Sequence, residues 1–337
     1  MKLSVIVPFY NVQTYAPDTL RSLRMNTRDD FEFILVDDCS TDWTPEVLER
    51  GVREIPGARL IRHERNRGLP TSRNTGIDAA RGEYIGFLDG DDWASPGHFE
   101  RLVTAIEHLG CDFVRNDHVQ VNGTAREIRR VPVARRNEVL SPRDEILPVN
   151  RSSAVDYPNA CTGLFHRRLV DRGLLHFVEE LRTCEDRPWI WRLHREAESF
   201  AAVSEMGMFY RRGVPTSLTQ IGDMRQLDFT RAFDLIVEET AKDRDAAKLL
   251  PKVVRTYCAL ICFHLGRADQ LEPKVARKLY AVTASALKRM PQDVLREVLD
   301  GMDSERAARL RRLRRRSSTA GSTSPTNSPG SSGEVAA

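Results

Sequence analysis

The chain reads YIGFLDGDD at residues 84–92, a short apolar run followed at once by three aspartates in four residues. Apolar runs of this length, bounded by polar residues, are typical of buried β-strands. Residues 3–8 and 31–36 have the same character, residues 59–62 form a weaker run, and helical patterns separate the four. Because strand–helix alternation builds a mostly parallel sheet with helices on both faces, the sequence predicts an α/β fold.

Polar and aromatic side chains follow these runs where each strand ends. The first is followed by FYN at 9–11, the second by DDCSTD at 37–42 and the fourth by DGDD at 89–92. Ligands of open parallel sheets bind beyond the carboxyl ends of the strands. We therefore expect six carboxylates and the Tyr10 ring to converge on one ligand-binding edge.

So many carboxylates repel one another unless a cation or a ligand lies among them. Oxygen ligands of this type suit Mg²⁺ or Mn²⁺, and ligand phosphates can complete the coordination shell. We expect Asp91 to hold the metal, while Asp89 could reach a ribose hydroxyl. Tyr10 could stack on a nucleobase, and Asp37 or Asp38 could accept a base N–H.

Each feature also has a purely structural interpretation. An Asp-x-Asp pair occurs in ordinary surface loops, Asp-Asp-x-Ser after a strand often caps a helix, and a single tyrosine commonly packs. Arg73 could orient a donor or make a loop hydrogen bond. The occurrence of such groups at successive strand ends favours the functional interpretation.

Four motifs together resemble the family 2 glycosyltransferases of the GT-A fold: VIVPFYN at 5–11, VDDCSTD at 36–42, NRGLPTSRNTG at 66–76 and ARGEYIGFLDGDD at 80–92. Their order and spacing match over residues 3–93, and more loosely to about 212. The resemblance implies an inverting transferase with a nucleotide-diphosphate sugar donor, a UDP-sugar being favoured, and a metal at Asp89 and Asp91. On the same resemblance the donor nucleotide is expected to contact Pro8, Tyr10, Asn11, Asp37, Asp38, Arg73 and Asp89.

Two departures from the family pattern are visible. Ser72 stands where the family usually has alanine, a small-for-small change. The QxxRW motif of processive synthases is absent, which favours the addition of one or a few sugars to a glycan, lipid-linked or cell-envelope acceptor.

An inverting reaction needs a carboxylate to take the proton of the acceptor hydroxyl. The sequence CEDRPW at 184–189 resembles the Glu-Asp motif that the family places at a helix start near the acceptor. Asp186 is the first candidate for the base and Glu185 the second. The alternative is that both are ordinary acids in the first turn of a helix.

The remaining sequence predicts three regions: a GT-A domain at 1–215, a helical region at 222–316 and a disordered tail at 317–337. The last of these is rich in Ser, Thr, Gly, Pro and Asn and has too few apolar residues for a core. Two other functions stay open, a sugar nucleotidyltransferase and a non-catalytic nucleotide-sugar binding protein. The first of these lacks the expected Gly-rich, Lys-containing phosphate loop near the first strand.

Charge is concentrated near the C-terminus. The chain carries 51 basic and 48 acidic residues, a net charge of +3. The arginines of Arg306–Arg316 account for this excess. Since the chain before them is not basic, we expect no nucleic-acid partner for it. That basic segment could contact an anionic membrane. With no signal peptide and no apolar run of about 18 residues, we expect a cytoplasmic protein, and peripheral attachment to the inner face of the membrane stays open.

Overall fold

The computed structural model describes residues 1–214, 218 and 221–319, with side chains as far as Arg315. The strands are β1 (Leu3–Phe9), β2 (Phe31–Asp37), β3 (Ala58–Arg62), β4 (Tyr84–Phe87), β5 (Trp93–Ala94), β6 (Phe113–Asn122), β7 (Ala125–Arg129), β8 (Gly163–His166) and β9 (Phe200–Arg211). The helices are α1 (Ala16–Arg24), α2 (Thr44–Glu54), α3 (Leu69–Ala79), α4 (His98–Leu109), α5 (Arg168–Asp171), α6 (Asp186–Glu196), α7 (Asp228–Ala241), α8 (Ala246–Gly266), α9 (Pro273–Arg289), α10 (Gln292–Asp300) and α11 (Ser304–Thr319).

The strands form one sheet in the order β3-β2-β1-β4-β8-β6-β9-β5. β7 is the ninth strand of the sheet and pairs with the second half of β6, from His118 to Asn122. β1 is parallel to both β2 and β4, and β2 is parallel to β3. β8 is antiparallel to its neighbours β4 and β6, whereas β6 and β9 are again parallel. The predicted α/β fold with a mostly parallel sheet and flanking helices is confirmed, and each antiparallel pairing includes β7, β8 or β9.

The first strands are apolar throughout because both of their faces are covered. Leu3, Val5 and Val7 pack into a core with α1, α2 and α4, while Ile6 points into a second core on the opposite face. Side chains alternate between the faces of a strand, so a strand that is buried on both sides reads as a continuous apolar run. This explains why residues 3–8 and 31–36 lack polar alternation.

The second core is continuous with the C-terminal helices. Phe229 and Phe233 of α7 and Tyr257 and Ile261 of α8 belong to the same cluster as Trp189 of α6. The region predicted to be helical, 222–316, contains α7 to α11, and α11 continues to Thr319. The predicted boundary at 215 and residues 320–337 of the predicted tail lie outside the described residues.

Two of these helices bear on the expected membrane contact. α8 is long and apolar enough by length and composition to cross a membrane, contrary to the sequence-based expectation, but the core helix of a soluble protein meets the same criterion. Tyr257, Cys258 and Ile261 on α8 are fully buried. In α11, Leu310 and Leu313 are likewise buried against the protein. The exposed face of α11 that the structure describes is therefore mainly arginine.

α6 is fixed to the sheet by Trp189, one turn after the Glu185-Asp186 pair. The indole ring stacks on Phe177 with ring centroids 5.1 Å apart and meets Phe165 edge-on at 5.0 Å. Its Nε1 donates a hydrogen bond of 2.9 Å to the carbonyl oxygen of Leu175. The start of α6 is thus held by aromatic packing and one buried hydrogen bond.

We expect Trp189→Ala to lower the free energy of unfolding by about 3–5 kcal/mol, because the change opens a large cavity in the core. Urea denaturation would measure the loss. Trp43→Ala is the matched control, since that side chain is 69% exposed, and should stay within about 0.5 kcal/mol of wild type. A Trp189→Ala protein as stable as the control would contradict this packing role.

Candidate active site

A cleft of about 1130 Å³ opens at the carboxyl ends of β1 and β4. One wall is formed by residues that follow β1, β2 and β4 together with the start of α3. The opposite wall comes from β6, β7, β9 and residues 152–160. The start of α6 and one side of α8 complete the lining. The predicted site residues that line it are Pro8, Tyr10, Asp38, Arg73, Asp89, Asp91, Glu185 and Asp186.

Two of the expected carboxylates, those of Asp37 and Asp42, and the Asn11 amide accept hydrogen bonds from backbone N–H groups that follow β2. The Asp37 carboxylate accepts a hydrogen bond of 3.1 Å from the backbone N–H of Ser40. Asp42 accepts from the N–H of Thr44 at 2.9 Å, and the Asn11 amide oxygen accepts from the N–H of Thr41 at 2.8 Å. Asp37 and Asn11 are not among the residues that line the cleft. The six carboxylates therefore do not all converge, because the turn after β2 needs acceptors for its own N–H groups.

Asp38 is buried at the cleft wall and holds the segment that leads into α3. One oxygen of its carboxylate accepts from the N–H of Arg67 at 2.8 Å and lies 2.7 Å from Nδ1 of His63. The other accepts from the N–H of Gly68 at 2.7 Å. Gly68 has a φ of 91°, a conformation that favours glycine. Asp38 thus shapes this wall whether or not it also contacts a ligand.

Arg73 joins the end of β4 to the start of α6. One terminal nitrogen of its guanidinium donates to the Asp89 carboxylate at 2.9 Å, and the other donates to the Glu185 carboxylate at 2.8 Å. The Arg73 side chain is only 4% exposed. Ion pairs in such surroundings are little weakened by water. The predicted metal-binding and base motifs, 96 positions apart in the chain, therefore meet on one cation.

Asp91 and Asp92 carry more negative charge than their surroundings neutralise. Burial and the neighbouring Asp89 charge raise the pKa of Asp91 to about 6. The Asp92 side chain is fully buried, with one oxygen accepting from the N–H of Arg211 at 2.7 Å. Its other oxygen has no hydrogen-bond partner among the described residues. A cation bound at this point would relieve the repulsion.

Glu185 and Asp186 occupy the first turn of α6, as the motif predicts. Burial raises the pKa of Glu185 to about 7, opposed by the charge of Arg73. Burial also raises the pKa of Asp186. The Asp186 carboxylate lines the cleft, and no described side chain donates a hydrogen bond to it. A carboxylate in this state is suited to accept a proton.

The sequence model of the glycosyl transferase family 2 matches residues 4–175 of this chain. The chain belongs to this family. The uncharacterized glycosyltransferase EpsJ of Bacillus subtilis is 35% identical over 227 residues, which cover 65% of this chain and 63% of EpsJ. The poly(ribitol-phosphate) β-N-acetylglucosaminyltransferase TarS of Staphylococcus aureus is 28% identical over 261 residues, covering 74% of this chain and 44% of TarS. The chain thus spans less than two thirds of the length of these relatives.

The fold is also that of a solved glycosyltransferase structure. The crystal structure of S. aureus TarS 1–349 in complex with UDP-GlcNAc superposes with a TM-score of 0.76 at 22% identity. The superposition covers 94% of this chain and 88% of the TarS fragment, so it includes C-terminal helices as well as the sheet. The predicted family membership and GT-A fold are confirmed.

Some residues of the site carry no recognisable sequence signal. Arg211 reaches the acidic cluster because β9 pairs with β5, which directly follows Asp92. Its guanidinium lies over the Trp93 ring at 4.6 Å and donates 2.8 Å to the backbone oxygen of Asp91. His118 on β6 and Tyr157 in the segment before β8 also line the cleft. The pairing of strands and the course of this segment bring them there, and residue spacing does not reveal either.

Proposed function

We propose that this chain is an inverting glycosyltransferase. It moves a sugar from a nucleotide-diphosphate donor, a UDP-sugar being favoured, to a hydroxyl of a glycan, lipid-linked or cell-envelope acceptor. The observation that carries the proposal is the meeting of Asp89, Asp91, Glu185 and Asp186 in one cleft of a family 2 chain. The UDP-GlcNAc in the TarS crystal structure supports a uridine donor for this fold.

Asp91 and Asp89 would hold Mg²⁺ or Mn²⁺. The fit rests on the oxygen donors, the raised pKa of Asp91 and the unpartnered buried oxygen of Asp92. Within residues 1–214, 218 and 221–319, no three His, Cys, Asp or Glu side chains form a ready metal cage, so donor phosphates and water would supply further ligands. When bound, the cation would neutralise the diphosphate as it leaves.

Asp186 would act as the base that takes the proton of the acceptor hydroxyl. Its carboxylate is free of hydrogen bonds from described side chains, whereas Glu185 is engaged by Arg73 at 2.8 Å. Glu185 would therefore position Arg73 and the start of α6, which keeps the base at a fixed place relative to Asp89. Tyr10, 45% exposed at the end of β1, would offer its ring to the nucleobase.

The cellular location is also part of the proposal. We place the protein in the cytoplasm, with peripheral contact between the arginines of Arg306–Arg316 and an anionic membrane. Leu310 and Leu313 are already buried, so such contact would be electrostatic and would weaken as salt concentration rises.

We expect Asp186→Asn to lower metal-dependent UDP release from a UDP-sugar by about 10²–10⁴-fold, the usual contribution of a general base. Binding of UDP should remain, because the Asp186 side chain is assigned to the acceptor. Steady-state UDP release and UDP titration measure the two effects separately. Turnover that survives in Asp186→Asn but is lost in Glu185→Gln would reject Asp186 as the base.

Asp91→Asn should abolish the Mn²⁺-dependent stabilisation by UDP while leaving the unliganded protein folded. A ligand at about 100 times its Kd stabilises by about 2.7 kcal/mol, which gives a measurable shift in Tm. Asp78→Asn is the matched control, since its side chain is 69% exposed and outside the cleft. Equal Tm shifts in both variants would argue against a metal at Asp91.

A further inference from the structure

The cleft wall opposite the carboxylates is basic. Arg129 lies at the end of β7, Arg130 follows it, and Arg212 follows β9. All three are exposed and line the cleft. They line the same cleft because β7 and β9 both pair with β6, on its two opposite edges. The cleft thus has an acidic wall toward β4 and α6 and a basic wall toward β6, β7 and β9.

Little of this positive charge is neutralised within the protein. Arg129 pairs with Glu127 at 3.2 Å, whereas Arg130 and Arg212 have no carboxylate partner among the described residues. Two acids of neighbouring segments are already engaged: Asp117 accepts from Arg136 at 2.9 Å, and Asp156 pairs with Lys252 at 2.6 Å. The Arg212 guanidinium lies over the Tyr210 ring at 5.7 Å, a contact that leaves its charge unneutralised. Anionic groups of a ligand could therefore meet guanidinium groups that have no carboxylate partner here.

The basic wall continues beyond the cleft. A second, smaller groove is lined by Gln120, Asn122, Ala125, Arg126, Glu127 and Arg212. It shares Gln120 and Arg212 with the cleft, so the two adjoin at the β6–β7 hairpin. The groove or the neighbouring part of the cleft is lined by Arg126, Arg129, Arg130, Arg212 and Glu127. A ligand that extends from the cleft into the groove would meet all four arginines.

His118 adds a polar group that the protein itself leaves unsatisfied. The residue is 4% exposed and lines the cleft, and its Nδ1 is hydrogen-bonded to the Tyr157 hydroxyl. That hydroxyl is also 3.2 Å from the carbonyl oxygen of Asn116. When the Tyr157 hydroxyl donates its proton to this carbonyl oxygen, Nδ1 of His118 must donate to the hydroxyl. Nε2 of His118 then carries no proton and is an acceptor. Nε2 is buried and has no partner among the described residues.

We propose that the acceptor is a hydroxyl-bearing polyanionic chain that lies along β6, β7 and β9, with Arg129, Arg130 and Arg212 contacting its charged groups. This rests on the proposed function, because it identifies the acceptor of the same cleft. Guanidinium groups bind phosphodiesters and carboxylates in the same geometry, so the charge can come from either.

The test compares two triple variants that lose the same charge. Arg129→Gln/Arg130→Gln/Arg212→Gln removes the basic wall, and Arg24→Gln/Arg244→Gln/Arg296→Gln removes exposed arginines outside the cleft. Fluorescence anisotropy would measure binding of four labelled oligomers: a phosphodiester-linked polyol, a polyuronate, a neutral glucan and single-stranded DNA. UDP titration with Mn²⁺ would be run in parallel on every protein.

Wild type should bind the polyol phosphate or the polyuronate, and the stronger of the two identifies the source of the charge. The basic-wall variant should bind it about tenfold more weakly and with a smaller salt dependence, while the control variant and UDP binding remain unchanged. Equal binding of the neutral glucan, equal or stronger binding of DNA, no oligomer binding, or equal losses in both variants would overturn the proposal. Failure of UDP to bind wild type would instead reject the proposed function, independently of the oligomer result.

Discussion

The candidate site depends on one buried cation. Arg73 contacts Asp89 after β4 and Glu185 at the start of α6, and it is almost completely shielded from water. Without it, two carboxylates would face each other in a poorly hydrated place, and each would be unpaired. The bridge therefore fixes the distance between the carboxylates assigned to the donor and the helix turn assigned to the base. Trp189 supports the same helix from the core side.

The cleft combines two electrostatic environments that suit different parts of a transfer reaction. The acidic wall at Asp89 and Asp91 is unfavourable for a diphosphate unless a cation is present, which makes donor binding conditional on the metal in the account we propose. The basic wall at Arg130 and Arg212 is favourable for an anionic acceptor without a bound cation.

The sequence predicted the fold and the family well, because strands buried on both faces have apolar runs and because strand-end motifs are local. Asp89 and Asp91 were predicted at one sheet edge from the strand ends, whereas Glu185 and Asp186 were predicted near the acceptor only through the resemblance. The Arg73 bridge that joins the two motifs is a tertiary contact that no periodicity reveals. The expectation that Asp37 and Asn11 face the ligand did not account for the hydrogen-bonding needs of the turn after β2. The basic wall was equally hidden, because β9 and β7 reach β6 from distant parts of the chain.

A double-mutant cycle between Arg73 and Glu185 tests the central claim most directly. Free energies of unfolding from urea denaturation would be measured for wild type, Arg73→Met, Glu185→Gln and the double variant. We predict that Arg73→Met alone costs about 3–5 kcal/mol, as expected for breaking a buried ion pair. The double variant should recover part of this loss, with a coupling energy of at least about 1 kcal/mol. Losses that add to within about 0.5 kcal/mol would contradict the claim that the bridge couples the two halves of the site.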